Sequence, residues 1–479
     1  MSVSYWDYII IGAGISGAVV LEQLVEKYGN TKNILILERD QDIGGAINSY
    51  QHNYGDSKFK NSNNRRIIEL GGMRYFKEIM PNVEKYRKKY KLTRKQIIVH
   101  NKNILLENNE IKNIADEKYF DGITNTCQQI YIRKFISKKK DTLTSLITNF
   151  DKRKKIFNDD KLCSLNLKSY FKLNNIDTTD FVKITENGGY NGFLNSDIAA
   201  AVTTFSTLDI SGPVQDIIVE GFQNMVKKIL ISNGLNTIDN KTKKVTTIKL
   251  STNVYKAEGN KLLTNNGIFY SNKFIWTIPP YFMKEIGSKS NMRKEMLDEL
   301  ENGFCKVRLS KIFLFYDIPW WDPKLIGRNL SNNKIGQLWV WDDKTLLIYC
   351  CCKSSIYWQS ILNIDIDKYY GKYIDIKENI DFNPNWYTNN ILPNIQKMLP
   401  INNIKPLKGY AISFWNNNVF FWKKRQSTKY GNILKRREKI RFPFSNDNHI
   451  YVTNATSIRQ GWIEGSIEEV NKVFSEFDI

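Results

Sequence analysis

The sequence predicts an α/β fold (α+β overall), in which a Rossmann-like nucleotide-binding domain is interleaved with a mixed sheet-and-helix domain. Three observations carry this. The first forty-odd residues spell a complete βαβ unit. Strand-like alternation then returns far along the chain, between Val245 and Ile278. Finally, a late strand, Ile450-Tyr451-Val452, precedes a glycine-flanked turn and a terminal helix, so one domain is assembled from separated segments.

In the βαβ unit, the apolar run Asp7–Ile11 leads into Gly12-Ala13-Gly14-Ile15-Ser16-Gly17 and a helix-competent run to Glu26. A second apolar run, Ile34–Leu37, ends in Glu38. Gly12 allows the tight turn, Gly14 lets a pyrophosphate approach the backbone, and Gly17 lets helix and strand pack closely. The helix N-terminus offers free N–H groups to the phosphates. Glu38 follows Gly17 by about 20 residues, the distance at which a carboxylate accepts hydrogen bonds from an adenosine ribose. A lone GxGxxG also marks ordinary turns; strand, helix and acid together select dinucleotide binding. Ile43-Gly44-Gly45-Ala46 supplies a turn to close under ribose and pyrophosphate.

At 479 residues the chain can bury a large core and divide into two or more domains. Its net charge of +21 has the sign that attracts nucleic acid. The positives are spread among Asn and Ile, however, as AT-rich coding alone would produce. The denser runs, such as Lys85–Lys95 and Lys423–Arg441, read as solvated faces, so nucleic acid is not the expected partner. Three adjacent cysteines, Cys350–Cys352, suit neither a disulfide framework nor a zinc site; their apolar neighbours suggest a buried strand. The first ten residues lack a basic region and a cleavage site, and Ile9–Leu21 is too short and Gly-rich to span a bilayer. The expectation is a cytoplasmic protein in a reducing compartment, with a virus particle as the alternative that the AT-rich bias leaves open.

Taken in order, residues 1–76 form the first part of the nucleotide domain. Within it, Tyr50–Arg66 is polar and Asn-rich, an expected exposed loop, and Ile67–Tyr75 returns to a strand end and the turn Gly71-Gly72-Met73-Arg74. Residues 77–216 read as a largely helical insertion, with helices near Asn82–Tyr90 and Tyr170–Leu173 and a turn-rich junction at Asn187–Phe193. The nucleotide domain resumes over 217–290, with a helix at Val226–Ile231, strand runs, an Asn266-Gly267 hairpin and the stop Pro279-Pro280. Residues 291–430 hold an aromatic-rich sheet, including a strand pair within Phe304–Tyr316 and strands in Gln337–Cys352 and Tyr410–Phe421. Residues 431–479 complete the nucleotide domain.

These anchors occur in one order: Ile9–Gly17, Glu38, Gly44-Gly45, Glu69–Arg74, Val219–Phe222, Thr277–Pro280, Ser310–Leu314 and Gly461–Gly465. The order resembles the flavin-dependent amine oxidase superfamily, across nearly the whole chain. The Gly-Gly-Met-Arg form resembles its L-amino acid oxidase and tryptophan monooxygenase branch, where the arginine pairs with the substrate carboxylate. The resemblance implies that Gly12, Gly14, Ile15, Ser16, Gly17, Glu38, Arg39, Gly44 and Gly45 hold the ADP part of FAD, and that the backbone of Val254 meets the adenine. Gly72, Met73 and Arg74 would border the isoalloxazine, with Arg74 reaching the substrate as a planar fork suited to a carboxylate. Lys311 would hydrogen-bond a water near flavin N5. Trp462 would wall the substrate pocket, with Trp415 near a second wall, and Ile463 and Glu464 would lie by the ribityl and pyrophosphate.

Some positions depart from the family pattern. Asn454 stands where an acid usually binds the ribityl or phosphate region, Ala46 replaces an arginine, and Phe421-Trp422 replaces a Gly-Ala turn. No cysteine sits where monoamine oxidases attach flavin, so the implied FAD is noncovalent. The implied activity is oxidation of an L-amino acid or related amine to an imine, which hydrolyses to a keto acid and ammonia while dioxygen is reduced to hydrogen peroxide. A small-molecule amine or amino acid and dioxygen are the implied partners, and the oligomeric state is left open, a homodimer among the options. No histidine matches a family position. Two alternatives stand beside this reading: another flavin enzyme of the same fold (monooxygenase, desaturase or mutase), and a non-catalytic flavoprotein with a structural role.

Overall fold

The computed structural model describes residues 5–29, 31–53, 65–98, 104–113, 148–173, 194–201, 203–204, 214–234, 246–399, 403–425, 427–445, 448–477 and 479. Strand β1 (Tyr5–Ile11) runs into helix α1 (Ile15–Tyr28), which returns to β2 (Ile34–Leu37). β1 lies between β2 and the late strand β12 (Gly267–Trp276), parallel to both. β9 (Thr246–Lys249) adds in parallel beside β2, and β19 (His449–Tyr451) beside β12. An antiparallel extension, β10 (Val254–Glu258) and β11 (Lys261–Thr264), completes this sheet.

The central strands are apolar at successive positions because both faces are covered. Ile9, Leu35, Phe274 and Trp276 enter one core, while Ile10, Ile36, Ile275 and Ile450 enter the other. The second core is roofed by α1, α2 (Pro81–Lys89), α3 (Phe222–Ser232) and α4 (Ile463–Glu476). Side chains therefore alternate between two cores at the period of a strand. The mixed α/β architecture and its Rossmann-like unit agree with the expectation.

The second sheet has eight strands. Its order is β17 (Lys372–Glu378), β18 (Gly409–Trp422), β13 (Phe304–Phe315), β16 (Thr345–Cys351), β15 (Gln337–Val340), β14 (Gly327–Ser331), β6 (Ile104–Glu107) and β7 (Glu110–Asn113). Two small pairs, β3 (Ser49–Asn53) with β4 (Arg65–Glu69) and β5 (Arg94–Ile98) with β8 (Val214–Ile218), sit outside the large sheets. Among the described residues, no helix is long and apolar enough to cross a membrane.

Several local expectations need correction. The Phe304–Tyr316 segment holds one continuous strand, Phe304–Phe315, rather than a pair, since it carries no glycine, proline or asparagine to turn on; its irregularity is a bulge against β18 between Val307 and Leu309. Residues 77–216, read as largely helical, contribute β5, β6, β7 and β8. The β6–β7 hairpin turns on Asn108 and Asn109, whose φ of 52° and 68° asparagine tolerates. The ends of the expected Tyr50–Arg66 loop are paired strands, and residues 54–64, like the Asn187–Phe193 junction, lie outside the described residues. Helix α3 starts at Phe222 rather than Val226. The Glu69 carboxylate, remote in sequence, accepts the Phe222 N–H at 2.8 Å and so caps it.

Candidate active site

The turn after β1 is built to minimal clearance. A Cβ on Gly17 would lie 2.0 Å from the carbonyl oxygen of Gly12, so only glycine lets α1 approach the strand. The second turn docks onto the first: Gly44 N–H donates to Ala13 O at 2.9 Å, and Gly44 bridges to Gly14. Between these turns and Val254, at the head of β10, runs a cavity of about 350 Å³. Its lining includes Gly12, Gly14, Ile15, Ser16, Gly44 and Gly45. The start of α1 contributes backbone groups that suit an anion.

Glu38 and Arg39 also line this cavity. The Glu38 carboxylate accepts the N–H of Ala13 at 2.7 Å and of Asp40 at 2.9 Å. Burial pushes its pKa up, against the pull of those two hydrogen bonds. Each oxygen keeps acceptor capacity for a ribose hydroxyl. Arg39 is held within that lining by aromatic and acidic neighbours. Its guanidinium lies 4.3 Å from the ring centre of Phe282 and 5.0 Å from that of Tyr370, and it hydrogen-bonds Asp40. Burial raises the Asp40 carboxyl, but the Lys372 ammonium at 2.7 Å, with Arg39, outweighs it and holds the group below its ordinary value. Phe282, Tyr370 and Lys372 escaped the sequence reading because they arrive from remote segments and no local motif marks them.

A second cavity of about 210 Å³ continues from the first through a shared wall that includes Ile15, Ala46, Ile47 and Asn454. It gathers Gly72, Met73, Arg74, Lys311, Trp462 and Ile463, residues spread over most of the chain. Arg74 is 8% exposed, and its Nη1 has no hydrogen-bond partner among the described residues. Its guanidinium lies 5.0 Å from the ring centre of Trp339. A buried, unpartnered guanidinium nitrogen costs desolvation energy unless a ligand completes it.

Lys311 stands on β13 between Tyr349 of β16 and Ser413 of β18. Its ammonium donates to Glu69 O at 2.8 Å and also to Gly71 O. Burial pushes its pKa well below the ordinary lysine value, against the opposing pull of Glu69. Trp415 lines the same cavity and donates its indole N–H to Leu70 O at 2.7 Å. Trp462 packs against Phe76, ring centres 5.2 Å apart, and its Nε1 has no partner among the described residues.

The remaining expected residues divide. Asn454 lines both cavities, but its amide donates to Trp462 O and accepts from Gly461 N–H, both at 2.8 Å, so it braces the Gly461-Trp462 turn. Glu464 is a correction. It lines neither cavity; its carboxylate accepts the N–H groups of Asn82 and Val83 and the Asn82 side-chain amide, capping α2. Phe421 lines the second cavity, whereas Trp422 turns into the core and donates to Ser457 O at 3.1 Å. Cys351, read from the sequence only as part of a buried strand, also lines it, as do Tyr349 and Val419, for which no site role was expected; alternation along β16 and β18 was the available signal. Among the described residues, that lining contains no carboxylate.

Residues 10–89 match the model for an NAD(P)-binding Rossmann-like domain. No curated protein matches the sequence. Among solved structures, putrescine oxidase bound to putrescine superposes with a TM-score of 0.67 at 12% identity, over 99% of both chains. A double mutant of putrescine oxidase, from a redesign of its cofactor binding, gives 0.67 at 13% over the same shares. The chain shares the fold of putrescine oxidase. That includes the Rossmann-like unit, with a second sheet carried by alternating segments of the chain.

The residues lining the two cavities suit an extended dinucleotide. The first offers a glycine turn, a helix N-terminus and a buried carboxylate; the second is mostly apolar, with the basic residues Arg74 and Lys311 in its lining.

Proposed function

We propose that this protein binds FAD noncovalently and oxidises the amine of an L-amino acid to an imine. Water then converts the imine to a keto acid and ammonia, and dioxygen takes up the two electrons and two protons as hydrogen peroxide. When bound, FAD supplies the two-electron acceptor that no side chain provides. Gly12, Gly14 and the start of α1 would receive its pyrophosphate, Glu38 its ribose, and Val254 its adenine. Gly72, Met73, Lys311, Trp462 and Ile463 would surround its ring.

The observation that carries the substrate class is Arg74, buried at the second cavity with an unpartnered Nη1. A carboxylate would complete that guanidinium, place the amine against the ring and leave the side chain facing the apolar wall. A diamine would bring a second ammonium into a lining that holds Arg74 and Lys311 and, among the described residues, no acid.

The test compares an L-amino acid with its decarboxylated amine on wild type and Arg74→Ala. Removing one member of a desolvated charge pair commonly costs about 3–5 kcal/mol, or roughly two to four decades in affinity. The variant should raise KM for the acid by that order and leave any oxidation of the amine nearly unchanged. Equal losses on both would make Arg74 a support of fold or cofactor. Keto acid and peroxide in equal amounts are the expected products; amide or alkene would assign a different flavin chemistry.

A further inference from the structure

The turn that carries Arg74 is held from two sides. Its N–H groups face the nucleotide domain: Leu70 and Gly71 donate to Asn48 O at 2.8 and 3.2 Å, and Gly72 donates to Ala46 O at 3.1 Å. Its carbonyls face the second sheet. Ser413 Oγ and Trp415 Nε1 both donate to Leu70 O, at 2.8 and 2.7 Å. Lys311 Nζ donates to the carbonyls on either side, Glu69 and Gly71.

The three donors stand on alternate rungs of the sheet and so share one face, with Lys311 opposite Ser413 and Leu309 opposite Trp415. Lys311, Ser413 and Trp415 are 3% exposed or less, so water does not substitute for them easily. A carbonyl that accepts two donors is fixed in direction as well as place. Two of the three N–H bonds of Lys311 are engaged on this turn. Arg74 comes after Gly72 and Met73 on the same turn and has no side-chain hydrogen bond at Nη1 to hold it.

We propose that Lys311, Ser413 and Trp415 are positioning residues for Arg74, holding the Glu69–Gly71 carbonyls so that its side chain keeps its place in the wall of the second cavity. The ligand side of this proposal rests on the carboxylate reading above; the grip itself rests on the hydrogen bonds.

Two measurements on the holoprotein separate these. One is hydrogen–deuterium exchange of a peptide covering residues 70–75, and the other is calorimetric titration with benzoate, a carboxylate without an amine. The proteins are wild type, Ser413→Ala/Trp415→Phe, Arg74→Ala and the triple variant. In the double variant, exchange at Leu70–Gly72 should quicken about tenfold or more while β16 keeps its protection. The benzoate Kd should rise about tenfold in the Arg74 background and less than about twofold once Arg74 is alanine, because coupled sites are non-additive. Ser413→Thr, which keeps the donor, should resemble wild type. Unchanged exchange, or the same rise in Kd in both backgrounds, would overturn the proposal. Faster exchange with a benzoate affinity indifferent to Arg74→Ala would uphold the grip and overturn the carboxylate reading. If the double variant does not fold, Trp415→Phe alone supports the same comparison.

Discussion

Gly17 sets the tightest tolerance at the nucleotide turn, since its added Cβ would meet a backbone oxygen that cannot swing aside. Gly17→Ala should therefore push α1 away from β1. Overpacking of this kind typically costs about 1–3 kcal/mol, and it also moves the helix N-terminus that would face the pyrophosphate. Thermal melts with and without added FAD check this: a lowered Tm together with a lost FAD-induced increase is expected, and a variant that keeps both would remove Gly17 from the turn's requirements. The glycine turn was legible because Gly12, at a φ of 107°, and Gly17, packed on a backbone oxygen, answer steric demands that the motif states in advance. Glu464 was not. A motif match placed it by a cofactor, but which way its side chain turns is decided by the free N–H groups of Asn82 and Val83, 381 residues or more away. Arg74 comes from the same kind of match; packing puts the residue in the wall of the second cavity and leaves its buried Nη1 without a hydrogen-bond partner among the described residues.

At the scale of elements, the β12–β19 junction carries a pH dependence. His449 Nδ1 accepts the Trp276 indole N–H at 3.1 Å, and its Nε2 lies 3.0 Å from Gly259 O, the ring packed against Phe274 and Phe444. Burial pushes its pKa down to about 4, and the Gly259 carbonyl opposes this only in part. Because the folded value lies below the unfolded one of about 6.5, the unfolded chain binds more protons between them. Stability from this group is thus present above about pH 6.5 and lost as pH falls towards 4, by about 3 kcal/mol in all. Denaturant titrations from pH 7 to 4 should show this acid limb, and His449→Phe should flatten it; an identical limb in the variant would place the dependence elsewhere. The β12 and β19 strands themselves were readable from apolar runs and Pro279-Pro280. What was not readable is pairing between distant segments: β6 beside β14, β5 beside β8, and Glu69 capping α3. Local propensity carries no information about partners that arrive more than a hundred residues later.

For the whole molecule, fold and charge point in different directions. The fold is shared with putrescine oxidase over 99% of both chains, but at 12% identity the architecture does not bring its substrate with it. This chain carries +21, and among the described residues the lining of the second cavity has cations but no carboxylate. A diammonium compound would approach against the long-range field and then lose water beside Arg74 and Lys311 without an acid to replace it. The same field favours an anionic dinucleotide. The association rate of FAD with apoprotein should accordingly fall several-fold or more as ionic strength rises from about 0.01 to 0.15 M, over which the screening length shrinks from about 30 to 8 Å. Putrescine and an apolar L-amino acid, mixed anaerobically with the holoprotein, complete the comparison. The amino acid should bleach the flavin absorbance, and putrescine at the same concentration should leave it oxidised. Adding salt should not rescue putrescine, because screening relieves the approach and not the missing carboxylate inside. Bleaching by putrescine at a comparable rate would show that the cavity accepts a second ammonium after all, and the chemistry would then follow the fold instead of the charge.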